Sequence, residues 1–427
     1  MAHPQVTPTP RHAFDDGTRR TEILQTAATL IASSGLRTSL QEIADATGIL
    51  PGSLYHHFES KEAILVELIR RYHEDLDRIA QHAEQRLDDD PRPVSDRIIG
   101  LGSAIAECAV RHSAALQMSF YEGPSANPEL TALTAQRPDA ILNAMLQILR
   151  AGKWSGYLRP ELDLPILADR IVQTMLQVGL DVMRHNAPAD RVATLLCRII
   201  LDGLASKPPT DAELDRSAAF LAADEVIKSW TNDGEPDDDK AAHVRAVART
   251  EFGRKGYEAT TVRDIASAAG LGTGTVYRLI GSKEELLTSI MESFGKKVAA
   301  GWISVLRSAS TVVEKLDALS WVNTNALDQL GDEFRIQLAW MRQSPPPAIA
   351  DAAWMYSTRV KQMKTLLSRG LKSREIRIDG PSGDMLSRCL IAIQWIPESI
   401  LQATDTQTAQ IHVRDTVLRG VAVRGAK

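Results

Sequence analysis

Little in this chain is cross-linked, aromatic or strongly charged. Its three cysteines in 427 residues, Cys108, Cys197 and Cys389, lie far apart inside apolar segments. That spacing excludes a disulfide framework or a cysteine-based metal centre and predicts three core thiols. No apolar run approaches the roughly 18 residues of a membrane span, so none is expected. The opening MAHPQVTPTPRHAFDDG lacks the apolar stretch of a secretory signal. It reads as a loose arm over residues 1–17, and the expectation is a cytoplasmic protein. A net charge of −5 excludes indiscriminate coating of nucleic acid but leaves room for a local basic surface. Ser-His-Asp patterns, nucleophile elbows and paired-carboxylate motifs are also missing, so no catalytic residue and no cofactor is nominated. His56 and His57 are adjacent helix residues pointing about 100° apart, without a Cys or acidic partner at ligand spacing, and no metal is expected there.

What the chain has is one pattern written twice. SLQEIADATGILPGSLYHHFESKEAIL, from Ser39 to Leu65, aligns without gaps on TVRDIASAAGLGTGTVYRLIGSKEELL, from Thr261 to Leu287. The offset is a constant 222, and ten of the 27 positions are identical. Further on, ILRAGKWSGYLRPELDLP is echoed more faintly by LLSRGLKSREIRIDGPSG, each followed by two long apolar-periodic stretches. A duplicated unit of roughly 190 residues, an ordinary domain size, accounts for both echoes. Between the copies, SKPPTDAELDRSAAFLAADEVIKSWTNDGEPDDDK has a linker's Pro pair and acidic end. Its middle, Leu214 to Trp230, has helical periodicity and predicts a docked connecting helix.

Spacing near 3.6 dominates outside the linkers and strand-like alternation is absent, which predicts an all-α fold. Ile23, Ala27, Leu30 and Ile31 line an opening helix that ends at Ser34-Gly35. Ser39 and Glu42 then form a capping box for a helix with Leu40, Ile43 and Ala44 as its buried stripe, stopping at Gly48. A short helix carries Leu54, Tyr55 and Phe58, and Ser60 caps the next, with Ile64, Leu65, Leu68, Ile69 and Tyr72 on one face.

The second copy's GLGTGTVY, Gly270 to Tyr277, raises the possibility of a phosphate cradle and hence a nucleotide-dependent enzyme. A dinucleotide loop, however, follows a buried strand, whereas VRDIASAA before Gly270 is an amphipathic helix. The third glycine falls one residue early for G-x-G-x-x-G, and the first copy reads GILPGSLY, with Leu50 in place of the central glycine. A helix-turn-helix explains the same residues better. Gly48 and Gly270 end one helix in a left-handed turn, and Gly52 and Gly274 start a second that approaches a duplex closely.

On Ile43-Ala44, Gly48, Gly52, Tyr55, Phe58 and Ser60-Lys61-Glu62, each segment resembles the DNA-binding domain of the TetR (tetracycline repressor) family. The second copy carries the same resemblance through Ile265-Ala266, Gly270, Gly274, Tyr277 and Ser282-Lys283-Glu284. It covers roughly 45 residues per copy, and the rest is similar in helical architecture alone. Two positions depart: Phe58 becomes Ile280, expected to fill the same core position, and His57 becomes Leu279. The resemblance implies that Tyr55, Tyr277, Lys61 and Lys283 contact the DNA backbone. Thr38, Ser39, Thr260 and Thr261 would cap the second helix and donate to phosphate. Candidates for base contact are Leu50, Pro51, Ser53 and His56 in the first copy and Thr273, Thr275 and Arg278 in the second. Lys240 to Leu287 holds eight basic against five acidic residues, whereas Thr18 to Lys61 holds four of each. The second copy is therefore expected to supply more of the salt-dependent affinity.

The domain reading is an arm (1–17), a first helix-turn-helix domain (18–72), a first helical regulatory domain (73–206) and a linker (207–239). A second helix-turn-helix domain (240–294) and a second regulatory domain (295–424) follow. The two terminal helices of each unit resemble the family's dimerisation helices, so one chain would form an intramolecular pseudo-dimer, or two chains would form a homodimer with four readers. Expected pocket lining is Met118, Phe120, Tyr121, Trp154 and Met175 in the first unit and Trp340, Met341, Trp395 and Glu398 in the second. Core packing is the competing explanation for each. The function expected is a ligand-responsive repressor, with double-stranded operator DNA and an unidentified small molecule as partners. The alternative is an interaction scaffold with decayed readers, motivated by Leu50-Pro51 and Leu279-Ile280.

Overall fold

The computed structural model describes residues 16–36, 38–87, 89–118, 127–185, 187–232, 240–257, 259–342, 355–378 and 383–425. The expected pocket residues Phe120 and Tyr121, most of the arm and the acidic hinge lie outside the described residues. The first copy comprises α1 (Asp16–Ser34), α2 (Leu40–Thr47), α3 (Pro51–His57), α4 (Lys61–Gln85), α5 (Val94–Arg111), α6 (Ser113–Met118), α7 (Pro128–Ala135), α8 (Asp139–Trp154), α9 (Leu164–His185) and α10 (Ala189–Asp202). After it come α11 (Asp211–Asp215) and α12 (Ala218–Asn232). The second copy continues with α13 (Lys240–Lys255), α14 (Val262–Ala268), α15 (Thr273–Ile280), α16 (Lys283–Arg307), α17 (Val312–Gln329), α18 (Gly331–Arg342), α19 (Tyr356–Lys372), α20 (Gly383–Ile393), α21 (Glu398–Ala403) and α22 (Thr406–Val413), which runs into a π-helical turn, Arg414–Arg419. The fold is all-α: among the described residues only two isolated bridges form, Leu158 with Ala422 and Ala205 with Ile376.

Local chemistry sets the helix limits. Ser39 Oγ accepts the Glu42 N–H at 3.2 Å while the Glu42 carboxylate accepts the Ser39 N–H at 2.7 Å. Thr261 and Asp264 repeat this box in α14, and each box satisfies two otherwise orphaned donors. Gly48 and Gly270 take φ of 71° and 66°, which ends the helix in a conformation that strains other residues. α1 begins at Asp16, so helix reaches two residues into the span expected to be a loose arm.

The predicted connecting helix is two helices, and α12 packs on α16 and α17 of the second copy. Thr210 and Glu213 cap α11 with a further box, and the chain breaks at Arg216–Ser217 before α12. Ala219, Phe220, Ala223, Ile227 and Trp230 are buried, with Phe220 stacked on Trp321 of α17 at 5.2 Å between ring centroids. Arg414 ties α11 down as well. Its guanidinium is fully buried and donates to Asp317 at 2.9 Å, Asp211 at 3.0 Å and Asp215 at 2.6 Å.

The two copies meet through α9 and α10 on one side and α20, α21 and the π turn on the other. Arg170 of α9 is buried and donates to the carbonyls of Ile393 and Trp395, and Ser399 donates to Asp169 at 2.6 Å. Backbone is exchanged at the ends. The Arg159 N–H donates to the Val421 carbonyl at 3.0 Å, and the Val423 N–H to Tyr157 at 2.8 Å. Reciprocally, the Arg377 N–H donates to Leu204 at 2.8 Å and the Ser206 N–H to Glu375 at 2.9 Å. The second pair of bonds is the first with the copies interchanged, Arg377 standing for Arg159 and Ser206 for Val423, the relation a local twofold imposes.

Candidate nucleic-acid interface

Each short helix of the two helix-turn-helix motifs is anchored by one buried residue, Leu54 in α3 and Val276 in α15. Most of the remaining side chains at their N-terminal ends are exposed. Leu50 at the N-cap is 76% exposed, and Tyr55 and Tyr277 are 54% and 50% exposed. Gly52, Ser53, His56, Thr273, Gly274 and Arg278 are also exposed, and Pro51 and Thr275 are half-buried. A Cβ on Gly52 or Gly274 would meet nothing within 4 Å, so packing within the chain does not require glycine at either position. The two faces differ in chemistry: Leu50, Pro51, Ser53 and His56 against Thr273, Thr275 and Arg278.

Other expected backbone contacts are already engaged within the protein. Lys61 Nζ donates to the Leu36 carbonyl, closing the α1–α2 turn, and burial pulls its ammonium below the usual value. That carbonyl accounts for a lysine at a helix N-terminus without a phosphate. Lys283 lies 4.1 Å from the Tyr257 ring centroid, a cation–π contact. Thr38 and Thr260 are buried and donate to the Gly35 and Gly256 carbonyls, so the caps are Ser39 and Thr261 alone. Part of the second copy's excess of positive charge is neutralised locally: Glu251 holds Arg254 at 3.0 Å and Lys255 at 2.5 Å, and Glu333 holds Arg249 at 3.4 Å.

The Phe58 and Ile280 positions are not equivalent in packing. Phe58 is 2% exposed, beyond the end of α3, with the Arg20 guanidinium 4.4 Å from its ring centroid. Ile280 stays in the last turn of α15 and is only half-buried, because that helix runs on to Gly281 at φ 72°.

The expected pocket residues that are described have different surroundings. Trp154 is 95% exposed: it is the last residue of α8, and Gly156, at φ 76°, turns the chain back beneath it. Met118 is core, and Met175 packs on Gly102 and Cys197. Trp340 is buried and Trp395 stacks on Phe334 at 4.4 Å; the Met341 side chain lies outside what is described. Glu398 accepts from Arg335 at 2.6 Å in a polar cleft of about 650 Å³ between the copies, lined also by Arg137, Thr250, Arg254 and Asp332. The three cysteines are buried. Sequence spacing gave no sign that Asp75 would meet Cys108 and His112, whose ligand atoms lie within 4.8 Å of one another. Arg78 and Arg111 already pair with Asp75, and His112 Nε2 lies 2.6 Å from it.

Two segments, residues 23–68 and 244–290, match the family described as bacterial regulatory proteins, tetR family. The HTH-type transcriptional repressor KstR2 of Rhodococcus jostii (strain RHA1) is 35% identical over 193 residues, 44% of this chain and 92% of that protein. Its namesake in Mycobacterium tuberculosis (strain ATCC 25618 / H37Rv) is 32% identical over 200 residues, 45% of this chain and 96% of that one. A solved structure of the ketosteroid transcriptional regulator KstR2 of M. tuberculosis is 29% identical, covers 41% of this chain and 89% of its own, and superposes with a TM-score of 0.33. Nearly the whole of each relative thus corresponds to less than half of this chain. Among the described residues no helix is long and apolar enough to cross a membrane.

Proposed function

The chain belongs to the tetR family of bacterial regulatory proteins, and from that membership we propose that it is a ligand-responsive transcriptional repressor carrying both DNA readers of a dimer on one polypeptide. The observation that carries the single-chain reading is the reciprocal backbone exchange between Tyr157–Arg159 and Val421–Val423 and between Leu204–Ser206 and Glu375–Arg377. Such an exchange is what two identical subunits make across a twofold, and here both partners are covalently one chain. Residues 18–72 and 240–294 are the two reading domains, and 73–206 and 295–424 the regulatory ones.

In this reading α3 and α15 enter successive major grooves, about 34–36 Å apart. Because their exposed side chains differ, the operator is two unlike half-sites or an imperfect palindrome. Tyr55, Tyr277, Ser39 and Thr261 contact the backbone, and Ser53, His56, Thr273 and Arg278 meet base edges, with apolar contact from Leu50 and Pro51. A small-molecule effector alters the separation of the readers and lowers operator affinity.

Fluorescence anisotropy of the full chain on DNA flanking its own gene, at fixed salt and saturating concentration, tests this. One chain per site is the expected result. Two chains per site would replace the pseudo-dimer with a homodimer of four readers, and no preference over random DNA would favour an interaction scaffold.

A further inference from the structure

The two readers are joined to their bundles by different chemistry. In the second copy Thr250 Oγ1 of α13 donates to Asp332 of α18 at 3.1 Å, and Arg249 pairs with Glu333 at 3.4 Å. Arg335, one turn along α18, donates to Asp332 at 2.9 Å and to Glu398 of α21 at 2.6 Å. The next residue, Ser399, donates to Asp169 of α9 in the first copy at 2.6 Å, and Arg137 pairs with the same carboxylate at 3.3 Å. A line of polar contacts therefore runs from the first helix of the second reader, across α18 and α21, into the other copy.

The duplication supplies an internal control, because α1 packs on α6 as α13 packs on α18. α1 and α13 end at Ser34 and Lys255, each followed at once by a glycine of positive φ, which sets Arg249, Thr250 and Gly253 on Ala28, Thr29 and Ala32. α5 and α17 are equal in length and the next helix starts two residues after each, which sets Asp332, Glu333 and Arg335 on Ala114, Ala115 and Gln117. None of these first-copy residues is charged. Thr29 donates to the Gln25 carbonyl of its own helix at 2.9 Å, and Gln117 turns to its own reader, donating to the Ala32 carbonyl at 3.2 Å. Arg335, at the same position, reaches α21 instead. Gly253 makes room for Asp332: a Cβ there would stand 2.8 Å from its Oδ1 and 3.1 Å from its Cα. The first copy builds this junction from uncharged residues, so the fold does not require the charged ones.

We propose that Arg335 and Glu398 are positioning residues for the second reader, holding α18, and through it α13, to α21 at the meeting of the copies, and that the first reader has no equivalent. Charge-assisted hydrogen bonds fix distance and direction between two helices, whereas apolar contact is non-directional. The Arg335 and Glu398 side chains are 36% and 37% exposed and line the polar cleft between the copies, so water reaches the pair and it can open. The assignment rests on the reading of α13–α15 as a DNA reader, and it adds that a shift where the copies meet reaches the two readers unequally.

Hydrogen–deuterium exchange of the full chain, read by mass spectrometry on peptides from α1–α3 and α13–α15, tests the assignment, with the first reader as control in the same molecule. Arg335→Gln, which restores the first copy's residue, is expected to speed exchange in α13–α15 about threefold and to leave α1–α3 unchanged. Glu398→Gln is expected to act in the same direction. The double variant is expected to do no more than Arg335→Gln alone, because the two side chains act through one contact. Unchanged exchange in α13–α15, equal acceleration of both readers, or additive effects in the double variant would overturn the proposal. The measurement uses no DNA, so its outcome is separate from whether the readers bind an operator.

Discussion

Gly203 and Gly420 cross back to back where the two copies meet. A Cβ on Gly203 would stand 2.4 Å from the Arg419 carbonyl carbon and the Gly420 nitrogen, and one on Gly420 would stand 2.4 Å from the Asp202 carbonyl carbon. Both combine positive φ with extended ψ (68°, 159° and 80°, 149°), a region open essentially to glycine alone. They occupy matching positions in the two copies, at the centre of the exchanged hydrogen bonds.

Gly203→Ala or Gly420→Ala is accordingly expected to destabilise the chain by about 3 kcal/mol or more, since backbone clash and forbidden φ/ψ add. Urea denaturation measures it. A loss below about 1 kcal/mol would mean that the crossing is loose.

The Arg414–Asp317 pair is buried on both sides; removing Arg414 leaves the Asp317 carboxylate with Gln410 as its remaining side-chain partner, whereas removing Asp317 leaves Arg414 paired with Asp211 and Asp215. Burial raises the Asp317 carboxyl, and Arg414 and Gln410 oppose that rise. Arg414→Met is expected to cost about 3–5 kcal/mol and to loosen α11, which Arg414 holds through Asp211 and Asp215. Replacing both partners by apolar residues is expected to cost less than the single change. The pair of chemical denaturation curves decides it.

His412 is half-buried as a residue, but its Nε2 is enclosed and has no hydrogen-bond partner. Burial, with the charge of Arg170, pushes the imidazole down to about 3. The unfolded chain takes up this proton near pH 6.5 and the folded one does not, so stability is full above pH 6.5 and declines as pH falls toward 3. At pH 5 the loss from this group is about 2 kcal/mol. The first copy has Leu195 at this position, and His412→Leu should flatten the decline between pH 6.5 and 5 in thermal melts. An unchanged pH profile would assign the acid sensitivity elsewhere.

The unlike faces of α3 and α15 predict unlike losses. Arg278→Ala should weaken binding at one half-site and, if its partner is phosphate, reduce the salt slope by about 1; if its partner is guanine, it should relax specificity at that base, by about 1–3 kcal/mol. Ser53→Ala should act on the other half-site. Anisotropy on operators with one half scrambled separates the two. Lys61→Ala should lower Tm more than it lowers operator affinity, because its amine closes the α1–α2 turn.

Much of this molecule is local in origin, and that part was legible in the residues. The capping box of Ser39 and Glu42 and the left-handed Gly48 and Gly270 act within one turn of chain, so sequence alone located them. The duplication and the all-α class were equally readable, because periodicity and repetition are properties of the string. Helix identity did not tell which copy α12 would join, since its apolar face suits either bundle and only the packing of Phe220 on Trp321 chose. Nor did periodicity reveal that Trp154 would face outward: a helix's last residue is oriented by the turn that follows it.

By itself, then, the sequence determined two helix-turn-helix units and their caps, set by interactions between residues three or four apart, and the different side chains that α3 and α15 carry. Tertiary structure alone decided that Lys61 serves the distant Leu36 carbonyl, that Gly203 meets Gly420, and that a buried Arg359 lies over Trp302. Those contacts join segments far apart along the chain, and their geometry depends on how whole helices pack.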